Sequence, residues 1–339
     1  MRRIAGLIAA IAVIGSAVVA STPASAATTI ASGGSSFAGN LLVPCANSFT
    51  GASVTYVSSS SGTGRKNFQQ GTFDFAAADV AYGPTDTKPT AFTYVPVVGG
   101  PIAIPFHAEG VTALNLTPAL LGKILRGDVS MWNDAAIKKL NKSQELPNEK
   151  INVIYRSGTS GTTGNLTQYL SDNKASGWTV NQSWATATGI TTPVGTGQSS
   201  SSLLVAAVKT TPYSIGYADL TDVNKKGLYF AAVKNPAGKF VKPSVKAAGL
   251  FLAKQTIDTT TGLVNLKFAQ KIKGAYNLSI VTYGLAPTAA ADSAKGQAVK
   301  GFVNYVLKTC APANAATLGY VALKGGILKA ALALAAKIK

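Results

Sequence analysis

The chain has 339 residues, 31 Lys+Arg against 13 Asp+Glu, 47% apolar residues, one histidine and two cysteines. That length suits about two domains with a sizeable core, and a period-free content of 34 Gly and 15 Pro is too small for a fibrous or wholly disordered chain. A single histidine, His107, with only Cys45 and Cys310 beside it, excludes His/Cys zinc clusters, iron–sulfur ligation, Cys-pair redox motifs and catalysis by two histidines.

Residues 1–26 open with Arg2 and Arg3, run through an apolar stretch over 4–20 and close with Ala24-Ser25-Ala26, the pattern of a cleaved secretory signal. Gly6, Gly15, Ser16, Ser21 and Pro23 interrupt the run, which argues against a membrane anchor. Cleavage leaves 313 residues and a formal net charge of +16, with no cysteine just after the signal to carry a lipid. The sequence therefore predicts an exported protein, periplasmic or at the cell surface, that is not lipid-anchored. In an oxidising compartment Cys45 and Cys310 are expected to pair, which requires both ends of the mature chain to lie in one domain. Only Arg65, Arg126 and Arg156 of the mature basic residues are arginines, and the lysines are scattered singly or in short pairs. No basic run interleaved with aromatics is present, so nucleic acid is set aside as a partner and membrane contact is at most peripheral.

Along the chain, residues 29–34 read as a strand running into glycine, and 36–49 as a helix with Phe37, Leu41, Leu42, Cys45 and Phe49 at helical spacing. Residues 54–57 read as a strand, 58–64 as a Ser/Gly loop, 65–70 as a short helix, and 73–78 as a strand ending at Asp79. The long apolar segment 94–106 is broken by Gly99-Gly100-Pro101, where a crossing between two lobes is expected. Thr117 caps a helix that has Pro118 at its first position. A strand over 151–155 runs through Arg156 to Thr163 into a helix over 164–170. Gly195 begins a second Gly/Ser loop, which opens a helix over 203–208. Strands over 215–220 and 228–233 and helices over 291–307 and 327–338 complete an alternation that implies an α/β fold.

Three strand-to-helix junctions share one composition: Gly33-Gly34-Ser35-Ser36-Phe37, Ser60-Ser61-Gly62-Thr63-Gly64 and Thr159-Ser160-Gly161-Thr162. Each offers free backbone N–H groups, small hydroxyls and the positive end of a helix, the means by which proteins bind anions. Arg156 beside the third adds a planar fork for two oxygens. Junctions at the carboxyl ends of strands converge on one crevice, so the expectation is a small-anion cradle. None of the three has a nucleotide-binding fingerprint.

These residues, with Asp74-Phe75-Ala76-Ala77-Ala78-Asp79, Leu116-Thr117, Ile124 with Gly127, Trp132-Asn133-Asp134, Leu146-Pro147, Arg156 through Thr163 and Ser214-Ile215-Gly216-Tyr217, occur in the order and spacing of a known family. The mature chain resembles the periplasmic phosphate-binding proteins of ATP-driven phosphate importers. The resemblance implies a two-lobed periplasmic-binding-protein fold, each lobe a mixed sheet flanked by helices, with the ligand cleft between lobes. Residues 27–103 with 278–339 would form one discontinuous domain and 104–277 the other. It further implies inorganic phosphate as ligand, bound by Ser36, Phe37, Ser61, Asp79, Arg156, Ser160, Gly161 and Thr162, with no cofactor or metal, an ABC permease as partner, and a monomer that is not an enzyme. Arg156 would hold two oxygens, and Asp79 would accept the proton that phosphate keeps at neutral pH, so that sulfate is refused. Gly158 departs from the acidic residue usual two positions after the arginine, and Ala78 from a small hydroxyl. Asp74 reads equally as a ligand contact or as a solvated strand end.

Three other readings compete. Another oxyanion is one alternative ligand. An enzyme would use Ser160 as nucleophile, His107 as base and Asp79 as orienter, although Gly158 to Thr162 is not a G-x-S-x-G elbow. A secreted surface or adhesion protein of the same fold would use its basic face, with residues 327–339 on an anionic membrane or packed on their own domain.

Overall fold

The computed structural model describes residues 28–339, so the secretory signal expected over residues 1–26 lies outside the described residues. Small and β-branched residues set β1 (Thr29–Gly34) and β3 (Phe75–Ala78) as short, largely buried strands and β2 (Ser53–Ser58) as an edge strand that buries only Val54 and Tyr56. α1 (Gly39–Ser48) and α2 (Ser61–Gln69) join them as parallel crossovers, with β1 between its two partners. β4 (Phe92–Ala103) leads out to β5 (Pro105–His107), β6 (Asn115–Leu116), α3 (Pro118–Arg126) and α4 (Ala135–Leu140). β7 (Asn152–Arg156), α5 (Gly161–Asp172), α6 (Trp184–Thr188), β8 (Thr196–Gln198), α7 (Ser201–Thr210) and β9 (Ser214–Ile215) repeat the strand-then-helix pattern in a second sheet. After β10 (Ala218–Asp219) and α8 (Leu220–Lys225) come β11 (Tyr229–Phe230), β12 (Ala232–Lys234), β13 (Phe240–Val241) and α9 (Val245–Leu252). The hairpin β14 (Thr256–Ile257) and β15 (Val264–Asn265) precedes β16 (Ser279–Pro287). α10 (Ser293–Tyr305), a π-helical turn over Val306–Cys310, α11 (Ala311–Asn314) and α12 (Gly325–Ala336) close the chain.

The first sheet has the order β10-β4-β16-β3-β1-β2 and the second β11-β5-β9-β7-β8. β16 lies antiparallel to β3 and β4, while β7 is parallel to both β8 and β9. Both sheets are therefore mixed, and the architecture is the two-lobed α/β fold that the resemblance implies. In each, the carboxyl ends of the parallel strands feed helix N-termini, which fixes where a cleft ligand can be met. The hydroxyls of Ser60, Thr117, Ser160 and Ser200 each accept from an N–H in the first turn of the helix that follows.

The expected break at Gly99-Gly100-Pro101 is not a break. These residues continue β4, and the handover between sheets falls at Ile104. Glycine is needed there for space: a Cβ on Gly99 would lie 2.4 Å from Leu252 Cδ1, and one on Gly100 would press on Phe37 and Tyr320. α2 starts at Ser61 rather than 65, and α5 at Gly161 rather than 164, because the capping serines lie inside what reads as loop. α12 buries Ile327, Ala331 and Leu334, and Ile338 just beyond it is buried as well. The apolar face required for the membrane reading of residues 327–339 is thus spent in the core. Among the described residues no helix is long and apolar enough to cross a membrane.

The disulfide forms as expected: Cys45 on α1 is bonded to Cys310 in the π-helical turn, across 265 residues of sequence. Cys45→Ser with Cys310→Ser, or reduction, is expected to lower unfolding free energy by about 3 to 5 kcal/mol through the entropy of so long a loop. Denaturant titrations of the oxidised and reduced protein check this.

Candidate ligand-binding site

The sequence-predicted residues converge from both lobes. Gly161, first residue of α5, is so close to the first lobe that a Cβ there would lie 2.4 Å from Ser61 Oγ and 2.8 Å from Asp79 Cβ. A Cβ on Gly62 would lie 2.6 Å from Thr159 Cβ, and Gly62 N–H donates to Thr159 O at 3.0 Å. Two helix N-termini, those of α2 and α5, therefore face each other across the cleft and direct their positive dipole ends into the same space. Gly34, at φ +126°, lets the chain turn out of β1 so that Ser35 and Ser36 reach this point.

Asp79, 3% exposed, follows β3 into the cleft. Ser35 Oγ donates to its Oδ1 at 2.6 Å and Thr282 Oγ1 to the same oxygen at 2.7 Å, while Ser61 Oγ donates to Oδ2 at 3.3 Å. Burial pushes the Asp79 carboxyl up from the usual carboxylate range, and the three hydroxyls and the nearby Arg156 charge oppose that shift. Oδ1 is thus saturated by two short bonds, and Oδ2 keeps accepting capacity on the side of Ser61 and Gly161.

Arg156, at the end of β7 and 1% exposed, reaches across the cleft. Its Nη1 donates to Ser36 Oγ at 3.1 Å, and its Nη2 to Ser199 O at 2.8 Å and Ser59 O at 3.4 Å. Nε is buried with no partner, and so is Thr162 Oγ1. Burial lowers the guanidinium from its ordinary value, with Tyr217, Asp79 and Asp219 opposing. Neither Arg156 nor Asp79 takes part in a salt bridge among the described residues. The guanidinium is oriented by neutral carbonyls instead of the acidic side chain that the resemblance leads one to look for at 158, where Gly158 sits exposed.

The remaining residues divide cleanly. Ser36 Oγ accepts from Arg156 and from Ser201 N–H, which brings the N-terminus of α7 to the cleft. Phe37 O accepts from Tyr320 Oη, and its ring packs edge-on to Tyr320. Ser160 Oγ is used as the α5 cap, accepting from Thr163 N–H. Asp74 lies at the other end of β3, bonded to Ala31 N–H and Lys295, so it is structural. His107 meets neither Ser160 nor Asp79: it lies on β5 opposite Ser214, and the catalytic triad is not assembled.

Sequence reasoning missed several contributors. Thr282 belongs to β16, 203 residues from Asp79, and carries no local signal. Ser201 and Ser199 lie in the second Gly/Ser loop, whose composition matched the three junctions and was the available clue. Tyr217 Oη accepts from Arg156 N–H at 3.0 Å and pairs with Thr163 Oγ1 at 2.7 Å, joining β7 to α5. Its ring continues a stack through Trp184 to Tyr155. Arg65 links the lobes on one flank, donating to Val80 O and to Gln182 Oε1, and with them lines a cleft of about 1240 Å³ that opens beside Asp79.

A family model described as PBP superfamily domain matches residues 17–309. Phosphate-binding protein PstS 3 of Mycobacterium tuberculosis is 30% identical over 290 residues, covering 81% of this chain and 77% of that protein. Phosphate-binding protein PstS of Xylella fastidiosa is 30% identical over 288 residues, covering 84% and 77%. Among solved structures, a phosphate-binding protein from Stenotrophomonas maltophilia aligns with a TM-score of 0.69 at 20% identity over 91% of this chain and 94% of that one, which shows the shared fold.

Because burial raises Asp79, the native state keeps its proton to a higher pH than the unfolded chain, and the contribution of Asp79 to stability declines as pH rises from the ordinary carboxylate range into the raised one. Thr282→Val removes a donor to the ionised form and is expected to cost about 1.5 to 3 kcal/mol at neutral pH. The deficit shrinks as pH falls and the carboxyl protonates. Denaturant titrations of both proteins across acidic and neutral pH measure it.

Proposed function

The chain belongs to the PBP superfamily, and on that footing we propose that it captures inorganic phosphate between its two lobes and delivers it, as a monomer, to an ATP-driven importer. The observation that carries this reading is the pairing of unspent buried donors, Arg156 Nε and Thr162 Oγ1, with a buried carboxylate that has no salt-bridge partner among the described residues. A fully ionised anion would meet repulsion at Asp79, whereas an anion that keeps a proton donates it to Oδ2. The phosphate-binding names of the relatives support the same ligand.

In this reading the N–H groups of Phe37, Ser61, Gly161 and Thr162 and the hydroxyls of Ser36, Ser61, Ser160 and Thr162 surround the phosphate oxygens. Arg156 keeps Nε–H and one Nη1–H for two of them, its other donors being committed to protein oxygens. The ligand is bound and released unchanged. We place the lobe boundaries after 103 and after 277; the end of β4 at Ala103 supports the first, while within 104–277 β10 returns to pair with β4 and Leu252 of α9 packs on Gly99. The cross-cleft bonds of Arg156 to Ser36 and of Arg65 to Gln182 would then open to admit the ion.

Titration calorimetry with phosphate and sulfate tests the proposal. Phosphate should bind and sulfate should not. Arg156→Ala, which removes two charge-assisted bonds of about 1.5 to 3 kcal/mol each, is expected to weaken phosphate at least about 100-fold. Asp79→Asn should raise sulfate binding relative to phosphate. Absence of heat with either anion would overturn the reading. A Cβ on Gly158 meets nothing within 4 Å, so Gly158→Asp is accommodated. Because that position is exposed and Arg156 is already held, the added carboxylate should change phosphate affinity by no more than about fivefold, the worth of a surface ion pair.

A further inference from the structure

The basic excess of this chain is not evenly spread. Residues 223–291 carry ten lysines and a single acid, Asp258, so this fifth of the sequence holds more than half of the mature net charge. The fold gathers six of those lysines into one place. The β12–β13 hairpin presents Lys234, Lys239 and Lys242, all exposed. Asn235 in its turn donates to Ile272 O and Ala275 O, which pins the hairpin to the loop carrying exposed Lys271 and Lys273. Tyr276 N–H donates to Ala247 O, which brings in the start of α9 with exposed Lys246.

Apolar side chains stand among these cations. Phe240 is 38% exposed, pairs across the hairpin with Lys234 and has that ammonium 6.0 Å from its ring centre. Leu250, 41% exposed, shares a helix face with Lys246 and touches the loop, its Cδ1 lying 3.5 Å from where a Cβ on Gly274 would be.

We propose that this lysine patch, with Phe240 and Leu250 inside it, docks the protein on a bilayer containing anionic phospholipid. The chemistry selects that occupant. Lysine stems lie along the interface while their ammoniums meet headgroup phosphates, and an exposed ring and a leucine reach the acyl boundary. The segment contains no arginine, the residue that reads base edges and grips nucleic-acid phosphates bidentately. Residues 263–270, which line the cleft beside Asp79, run directly into Lys271, so docking sets the cleft mouth next to the membrane surface.

Sedimentation of the purified protein with vesicles tests this. Binding is expected to vesicles of phosphatidylcholine mixed with phosphatidylglycerol, not to phosphatidylcholine alone, and should fall as salt rises. Lys234→Glu, Lys239→Glu, Lys246→Glu and Lys273→Glu together should abolish it, single changes costing on the order of fivefold each. Phe240→Ser should weaken binding while leaving its salt dependence unchanged. A control with Lys138→Glu, Lys139→Glu, Lys142→Glu and Lys150→Glu makes the same net change elsewhere, and unchanged thermal unfolding of each variant verifies folding. Equal loss in the control, equal binding to neutral vesicles, tighter binding to a DNA duplex, or no vesicle binding would each overturn the proposal.

Discussion

Asp79 is buried without a cation in contact among the described residues, and the rest of the cleft is arranged around that cost. Removing a carboxylate from water is tolerable only when hydrogen bonds replace the lost solvation. Here three hydroxyls supply them, from the β1–α1 junction, the start of α2 and the middle of β16. The carboxyl is consequently raised but held in place, with one oxygen saturated and the other oriented toward the α5 terminus.

Arg156 obeys the complementary rule. Its guanidinium is buried, yet carbonyls of Ser59 and Ser199 and the hydroxyl of Ser36 hold it, so its positive charge stays uncompensated by any carboxylate in contact. Together with the N-terminal ends of α2, α5 and α7, this places fixed positive dipole ends and a rigid guanidinium at one point of the cleft. The Tyr217 hydroxyl ties the arginine backbone to α5, and the Tyr217–Trp184–Tyr155 stack makes that tie stiff. No lysine among the described residues donates to Asp79 or to the groups that hold Arg156.

Much of the site was legible because its chemistry is local. A strand that ends in small residues and passes into a capped helix must expose first-turn N–H groups, and that follows from composition within a few positions. The disulfide was likewise legible from two cysteines and the export that the first 26 residues lead one to expect. The β4 glycines misled because glycine signals either a turn or a close approach, and only the presence of Leu252, Phe37 and Tyr320 decides between them. Thr282 and the Arg65–Gln182 bond stayed hidden for a related reason: a threonine in a buried strand or a glutamine in a loop has no distinguishing neighbours in sequence.

By itself the sequence determined the α/β alternation, the capped helix starts, the covalent tie between the ends and the types of donor available for an anion. Those properties depend on backbone propensities and side-chain inventories over short windows. Tertiary structure decided which helix ends face each other, which oxygen of Asp79 stays able to accept, what orients an arginine lacking an acidic neighbour, and where six lysines meet. These depend on contacts between segments up to about two hundred residues apart, whose pairing is set by sheet order and core packing rather than by any local pattern.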